Sequence, residues 1–64
     1  MFILNKNIRV IKSVVDYYDG RSSSIPFKKG DVENAINYTK RYRSDYPDDI
    51  IEKLRTVKVM LESA

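Results

Sequence analysis

The chain of 64 residues contains no cysteine, no histidine and no tryptophan, and it has only two glycines and two prolines. Without cysteine and histidine it forms no disulfide and lacks the usual ligands of a structural zinc ion. The same absence removes the thiolate nucleophile and the side chain that titrates near neutral pH. The glycines, Gly20 and Gly30, are isolated, so no phosphate-binding loop is present. We therefore expect a protein that is not an enzyme and that has no cofactor and no metal site.

Long apolar runs are also missing. Residues 1–4 form the apolar start of the chain, and no stretch approaches the roughly 18 apolar residues that a membrane span needs. Twelve basic and nine acidic residues give a net charge of +3 and are interspersed along the chain, which is less basic than expected for a dedicated nucleic-acid binder. These features predict one small cytoplasmic domain, residues 1–64, with no membrane contact.

Three stretches of the chain show the periodicity of an amphipathic helix. On a helical wheel, residues 8–18 separate into an apolar and a polar half, although their β-branched types favour a strand by propensity alone. The apolar half contains Ile8, Val10, Ile11, Val14, Val15, Tyr17 and Tyr18. The sequence predicts an all-α, compact three-helix domain with helices over about residues 4–18, 31–44 and 48–62.

Residues near the helix ends favour the same boundaries. Gly20 can adopt the left-handed conformation that closes helix one, and Asp31 is expected to be the N-cap of helix two. Acidic residues follow Pro47 in the first turn of helix three, where negative charge is favourable. The short connection before Pro47 predicts that helices two and three are antiparallel neighbours, with helix one packed across them.

The same periodicity predicts the core. We expect Ile25 and Phe27, on either side of Pro26, to fold back over it. The buried set of helix two is expected to contain Val32, Ala35, Ile36, Thr39 and Tyr42 with Tyr38 at its edge, and that of helix three Ile50, Ile51, Leu54, Val57 and Leu61.

Residues 13–32, SVVDYYDGRSSSIPFKKGDV, suggest a different fold. Asp16-Tyr17 and the turn from Ile25 to Asp31 resemble the opening of an SH3 domain, and the similarity covers about a third of the chain. The resemblance implies a β-barrel that binds proline-rich peptides. The chain departs from that family because it has no tryptophan for the peptide groove and because residues 32–63 have helical periodicity.

The carboxylates offer little chemistry of their own. Asp16 and Asp19 lie three residues apart and could share a metal ion, as could Asp48 with Asp49 and Glu52. A structural role explains both groups more simply. Asp16 lies one helical turn from Lys12, Asp19 belongs to a helix end, and the second group begins a helix.

A protein-binding surface is the function that the sequence favours. The apolar half of helix one is nearly 180° wide, whereas one side of a small bundle needs a stripe of little more than about 100°. Val59 and Met60 fall outside the buried stripe of helix three, and tyrosine and methionine are common in interfaces. We therefore expect Tyr17, Tyr18, Val59 and Met60 to anchor a protein partner, or a second copy of the chain, whose activity the protein modulates.

The alternative is a nucleic-acid-binding protein with weak sequence specificity. Its basic residues would be Lys28, Lys29, Lys40, Arg41 and Arg43. Asn34 and Asn37 share a polar face with Arg41 and have side chains suited to base edges. The structural explanation of the basic cluster is that cations in the last turn of a helix are favoured by its dipole, with Tyr38 and Tyr42 as the aromatic edge of the core.

Overall fold

The computed structural model describes residues 5–63, which form three α-helices and one short 3₁₀-helix. The elements are α1 (Lys6–Tyr18), α2 (Lys29–Arg41), the 3₁₀-helix (Arg43–Asp45) and α3 (Asp48–Ser63). No β-strand is present among these residues. The predicted all-α, three-helix fold is thus confirmed, and the SH3 hypothesis is wrong, since Asp16 and Tyr17 lie within α1. The predicted helical start at residue 4 lies outside the described residues.

Both ends of α1 have side-chain or backbone caps. The Oδ1 atom of Asn5 accepts a hydrogen bond of 2.8 Å from the backbone N–H of Asn7, so Asn5 is the N-cap. At the other end, Gly20 has φ 83°, and the N–H groups of Gly20 and Arg21 donate to the carbonyls of Tyr17 and Asp16. This is the Schellman arrangement, which confirms the predicted role of Gly20.

The predicted limits of α2, residues 31–44, are wrong at both ends. Asp31 is not the N-cap but lies in the first turn, where its carboxylate accepts a 3.3 Å hydrogen bond from the backbone N–H of Lys28. Because an acidic residue can cap the helix from this third position, the helix begins at Lys29. At the other end, the backbone of Tyr42 leaves helical geometry at φ −113°, ψ 50°, and the chain continues as the 3₁₀-helix.

All three α-helices contribute to the core. Its buried residues are Val10, Ile11, Val14, Val32, Ala35, Ile36, Ile51, Leu54 and Val57, with Thr39 as a buried polar residue. The hydroxyl of Thr39 donates a 2.6 Å hydrogen bond to the carbonyl of Ile36, so its burial leaves no polar group unsatisfied. Ile25 and Phe27 pack against this core while Pro26 is exposed, as the sequence predicts.

Three of the predicted core positions are less buried than expected. Ile50 and Leu61 are half-buried at the margin of the core, and Tyr42 is exposed. The wheel position of Tyr42 assumes a helical backbone, which the chain has left at this residue.

Ion pairs show how the helices are arranged. Lys58, late in α3, lies 3.6 Å from Glu33, early in α2, which fits the antiparallel pair that the short connection predicts. Lys6, at the start of α1, lies 3.0 Å from Asp31 of α2. α1 also contacts α3, so each helix packs against the other two.

Candidate binding grooves

One groove on the surface is mainly apolar and is lined by α1, the start of α3 and the residue Tyr46 between the helices. Its apolar lining consists of Ile8, Ile11, Val15, Tyr46 and Ile50, and its charged margin of Lys12, Asp16 and Arg21. The volume of this apolar groove is about 370 Å³. Ile8 is 42% exposed, whereas Val15, Tyr46 and Ile50 are half-buried.

The charges at the margin of the apolar groove are unevenly paired. The guanidinium group of Arg21 lies 3.0 Å from the carboxylate of Asp16 and 3.2 Å from that of Asp19. The expected pairing of Asp16 with Lys12 is therefore not formed. Among residues 5–63, no carboxylate lies within 4.0 Å of the Lys12 ammonium group. Lys12 thus offers a positive charge beside the apolar lining.

Tyr46 contributes a neutral hydroxyl to this region. Burial raises the pKa of the Tyr46 side chain above its ordinary value of 10.0, and nearby Tyr38 and Asp45 act in the same direction. The phenol therefore remains a hydrogen-bond donor at neutral pH.

A second groove is polar and lies between the start of α1 and the exposed side of α2. Its lining residues are Asn7, Asn34, Asn37, Tyr38 and Arg41, and its volume is about 270 Å³. We call it the amide groove, because three of the five side chains are carboxamides. Within residues 5–63, none of the five side chains forms a hydrogen bond or an ion pair.

Two tyrosines connect the two grooves, and a third packs against one of them. The ring of Tyr38, in the amide groove, lies 6.0 Å from that of Tyr46, in the apolar groove, with the planes at 66°. The ring of Tyr38 also lies 4.6 Å from that of Tyr42, at a tilt of 43°. Tyr42 is half-exposed, so the aromatic cluster presents a ring to solvent beside the amide groove.

The four predicted partner anchors do not gather at one groove. Tyr17 is half-buried against the core, and the ammonium group of Lys53 lies over the ring of Tyr18, 5.6 Å from the ring centre. Val59 is 60% exposed and borders a groove between α2 and α3, whereas Met60 follows it about 100° further around the helix. Ile8 and Tyr46, which line the apolar groove, are not among the predicted anchors. Their shared groove depends on tertiary packing, although Ile8 does lie at the edge of the apolar half of α1.

The predicted basic cluster is divided in a similar way. At a rise of about 1.5 Å per residue, the 13 residues of α2 separate Lys29 from Arg41 by about 18 Å. Lys28 and Lys29 therefore lie at one end of the helix and the other three cations near its opposite end. Of the five, only Arg41 lines the amide groove. Arg43 lies 3.9 Å from Asp48, and Lys40 borders the groove between α2 and α3.

Most acidic residues in the described part of the chain form ion pairs with lysine or arginine side chains. Asp19 lies 3.2 Å from Arg21 and 3.1 Å from Lys53. These ion pairs explain the position of Asp19, which the sequence offers together with Asp16 as one of two possible sets of metal ligands. Residues 5–63 contain no group of three acidic side chains arranged to hold a metal ion.

Comparison with known proteins leaves the family open. No family model, no curated protein and no solved structure matches the chain. Within residues 5–63, no helix has the length and apolar character required to cross a membrane.

Proposed function

We propose that this chain is a small non-enzymatic interaction protein that binds a helix of a larger protein in the apolar groove and thereby modulates that protein. The observation that carries the proposal is the meeting of Ile8, Val15, Tyr46 and Ile50 at one groove, with Ile8 42% exposed. Grouped apolar side chains that remain accessible to solvent are typical of interaction sites. A cytoplasmic location remains a prediction from the sequence.

The chemistry of the groove favours an amphipathic helix with acidic residues along one flank. Amphipathic helices bind grooves through apolar side chains spaced at i, i+3, i+4 and i+7. Lys12 has no carboxylate partner in the described part of the chain, so an acidic flank on the ligand would provide one. Tyr46 also lines the groove, and its side chain has a hydroxyl that can donate a hydrogen bond to a ligand.

A synthetic peptide tests this proposal without knowledge of the natural partner. The peptide is an amphipathic helix with leucines at the spacing above and glutamates beside them, and it is titrated into isotopically labelled protein while amide shifts are followed by NMR. We expect the largest shifts at Ile8, Val15 and Ile50. Ile8→Glu should weaken binding by about ten-fold or more, since it places a charge at an apolar contact.

Val59→Glu is the matched control, because it introduces the same charge at an exposed apolar residue outside the apolar groove. Equal losses from Ile8→Glu and Val59→Glu, or shifts centred on the predicted anchors Tyr18, Val59 and Met60, would contradict the assignment.

Sedimentation of the protein without peptide examines self-association. A dimer that Ile8→Glu dissociates would identify a second copy as the occupant instead of a different protein.

A further inference from the structure

The amide groove brings together three carboxamide side chains that form no hydrogen bond with other protein groups within residues 5–63. Asn7, Asn34 and Asn37 each present a carbonyl acceptor and an NH₂ donor, and none of them is used in a side-chain hydrogen bond within residues 5–63. These three side chains line one concave surface. A ligand that offers both donors and acceptors at its edge could form hydrogen bonds with all three together.

Arg41 supplies the only charge among the lining residues of this groove. No carboxylate lies within 4.0 Å of its guanidinium group in the described part of the chain. A planar guanidinium group without an internal partner is well suited to a phosphate group, to which it can donate two parallel hydrogen bonds. The ligand is therefore expected to combine an anionic group with a neutral polar edge.

An aromatic surface completes the site. Tyr42 stacks at a tilt on Tyr38, with the ring centres 4.6 Å apart, and its own ring is half-exposed. Tyrosine rings in this position can stack on an unpaired base, and such stacking tolerates every base because each has a π-face. An acidic peptide could bind the cation through its carboxylates and the amides through its backbone, but unlike a nucleic acid it would place no planar base on the tyrosine ring.

From these observations we infer that the amide groove binds single-stranded nucleic acid, a function beyond the proposed helix docking and located in a different groove. One nucleotide contributes its phosphate to Arg41 and its base edge to Asn34 and Asn37, and a neighbouring base stacks on Tyr42. Asn and Gln side chains pair with base edges in this manner, and single strands leave those edges free.

Fluorescence anisotropy with labelled single strands of about 12 nucleotides tests the inference. The probes are oligo(A) and oligo(U) RNA and oligo(T) DNA, compared with a DNA duplex of the same length at about 0.15 M salt. We expect the single strands to bind more tightly than the duplex. Tyr42→Ala should weaken binding about five-fold or more, and Arg41→Ala should reduce the salt slope by about 0.7.

Two substitutions with the same change in net charge provide the control. Asn34→Asp changes the chemistry of the groove with little change in shape and should weaken binding about ten-fold. Lys29→Ala removes one positive charge about 18 Å along α2 from Arg41, the proposed phosphate-binding residue, and should weaken binding much less than Asn34→Asp does. Because Asn34, Arg41 and Tyr42 are exposed, the fold should persist, as circular dichroism can verify.

Equal losses from Asn34→Asp and Lys29→Ala would overturn the inference, because they would indicate diffuse attraction to a basic protein. Absence of binding to every single strand, or equal affinity for the duplex, would also overturn it. A third outcome would overturn it as well: an oligoglutamate peptide binds in a way that depends on Arg41, and the oligonucleotides do not bind. The groove would then be a peptide site. These outcomes do not depend on whether the helix peptide binds the apolar groove, so the two proposals can fail separately.

Discussion

The ammonium group of Lys53 lies 3.1 Å from a carboxylate oxygen of Asp19 and joins the second turn of α3 to the residue that ends α1. Both side chains are only about a quarter exposed, at 22% and 27%. The same ammonium group lies 5.6 Å from the ring centre of Tyr18. Lys53 thus makes two contacts with the end of α1 in a partly desolvated setting, where ion pairs are less screened than on the open surface.

We expect Lys53→Met to lower the free energy of unfolding by about 1 kcal/mol, at the upper end for ion pairs near the surface. Methionine retains the apolar part of the side chain and removes the charge. Urea denaturation measures the change. Arg55→Met is the control, because Arg55 lies 3.8 Å from Glu52 in an exposed pair on the same helix. A loss from Arg55→Met as large as that from Lys53→Met would show that the contact with α1 is not responsible.

Asp31 should make stability depend on pH in the acidic range. The hydrogen bond from the Lys6 side chain lowers the pKa of Asp31 below 3.8, the backbone hydrogen bond from Lys28 adds to this, and burial opposes it weakly. Because the folded-state pKa is depressed, the stabilisation is present above the unfolded-state pKa and is lost as the pH falls through the folded-state pKa.

NMR titration of the Asp31 carboxyl group should therefore give a pKa below that of a free aspartate. Lys6→Ala should raise the pKa of Asp31, because it removes the largest cause of the shift. Lys12→Ala removes the same charge from α1 at a position without contact to Asp31 and serves as the control. A pKa of Asp31 that Lys6→Ala leaves unchanged would contradict the role of the 3.0 Å contact.

Leu54 is fully buried at the centre of the helical packing, in agreement with the periodicity of helix three. Leu54→Ala should lower the free energy of unfolding by about 2 to 5 kcal/mol, enough to unfold much of so small a domain. Met60→Ala truncates a half-exposed side chain on the same helix and should change it by only about 0.5 kcal/mol. Thermal unfolding followed by circular dichroism compares the two, and similar melting temperatures would refute the central position of Leu54.

Periodicity alone was sufficient to predict the helices and most of the core. Val10, Val14 and Leu54 are buried where the wheel places them, because burial follows the 3.6-residue repeat as long as the backbone is helical. The repeat fails at Tyr42, where the backbone leaves the helix. It also gives no exact helix ends, because Asp31 can cap α2 either from the N-cap or from within the first turn.

The grooves could not be predicted in the same way. A wheel gives the direction of a side chain around its own helix and does not identify its neighbours on the next one. The meeting of Ile8 with Tyr46 depends on how α1 crosses α3, and Asn7 joins Asn34 only through the contact of α1 with α2. Residues adjacent in sequence can also border different grooves. Lys40 and Arg41 point about 100° apart and border different grooves.

The two glycines should respond in opposite ways to the same substitution. Gly20 has φ 83°, a conformation that a residue with a Cβ atom adopts at a cost of about 1 to 2 kcal/mol, whereas Gly30 lies in the first turn of α2. A Cβ atom would meet no other atom within 4 Å at either position, so crowding does not enter the comparison. Gly20→Ala should therefore lower the free energy of unfolding by about 1 kcal/mol. Gly30→Ala should raise it by about 0.5 kcal/mol, because alanine loses less backbone entropy when the helix forms. Urea denaturation of both variants measures the difference, and stabilisation by Gly20→Ala would show that the end of α1 does not require the left-handed conformation.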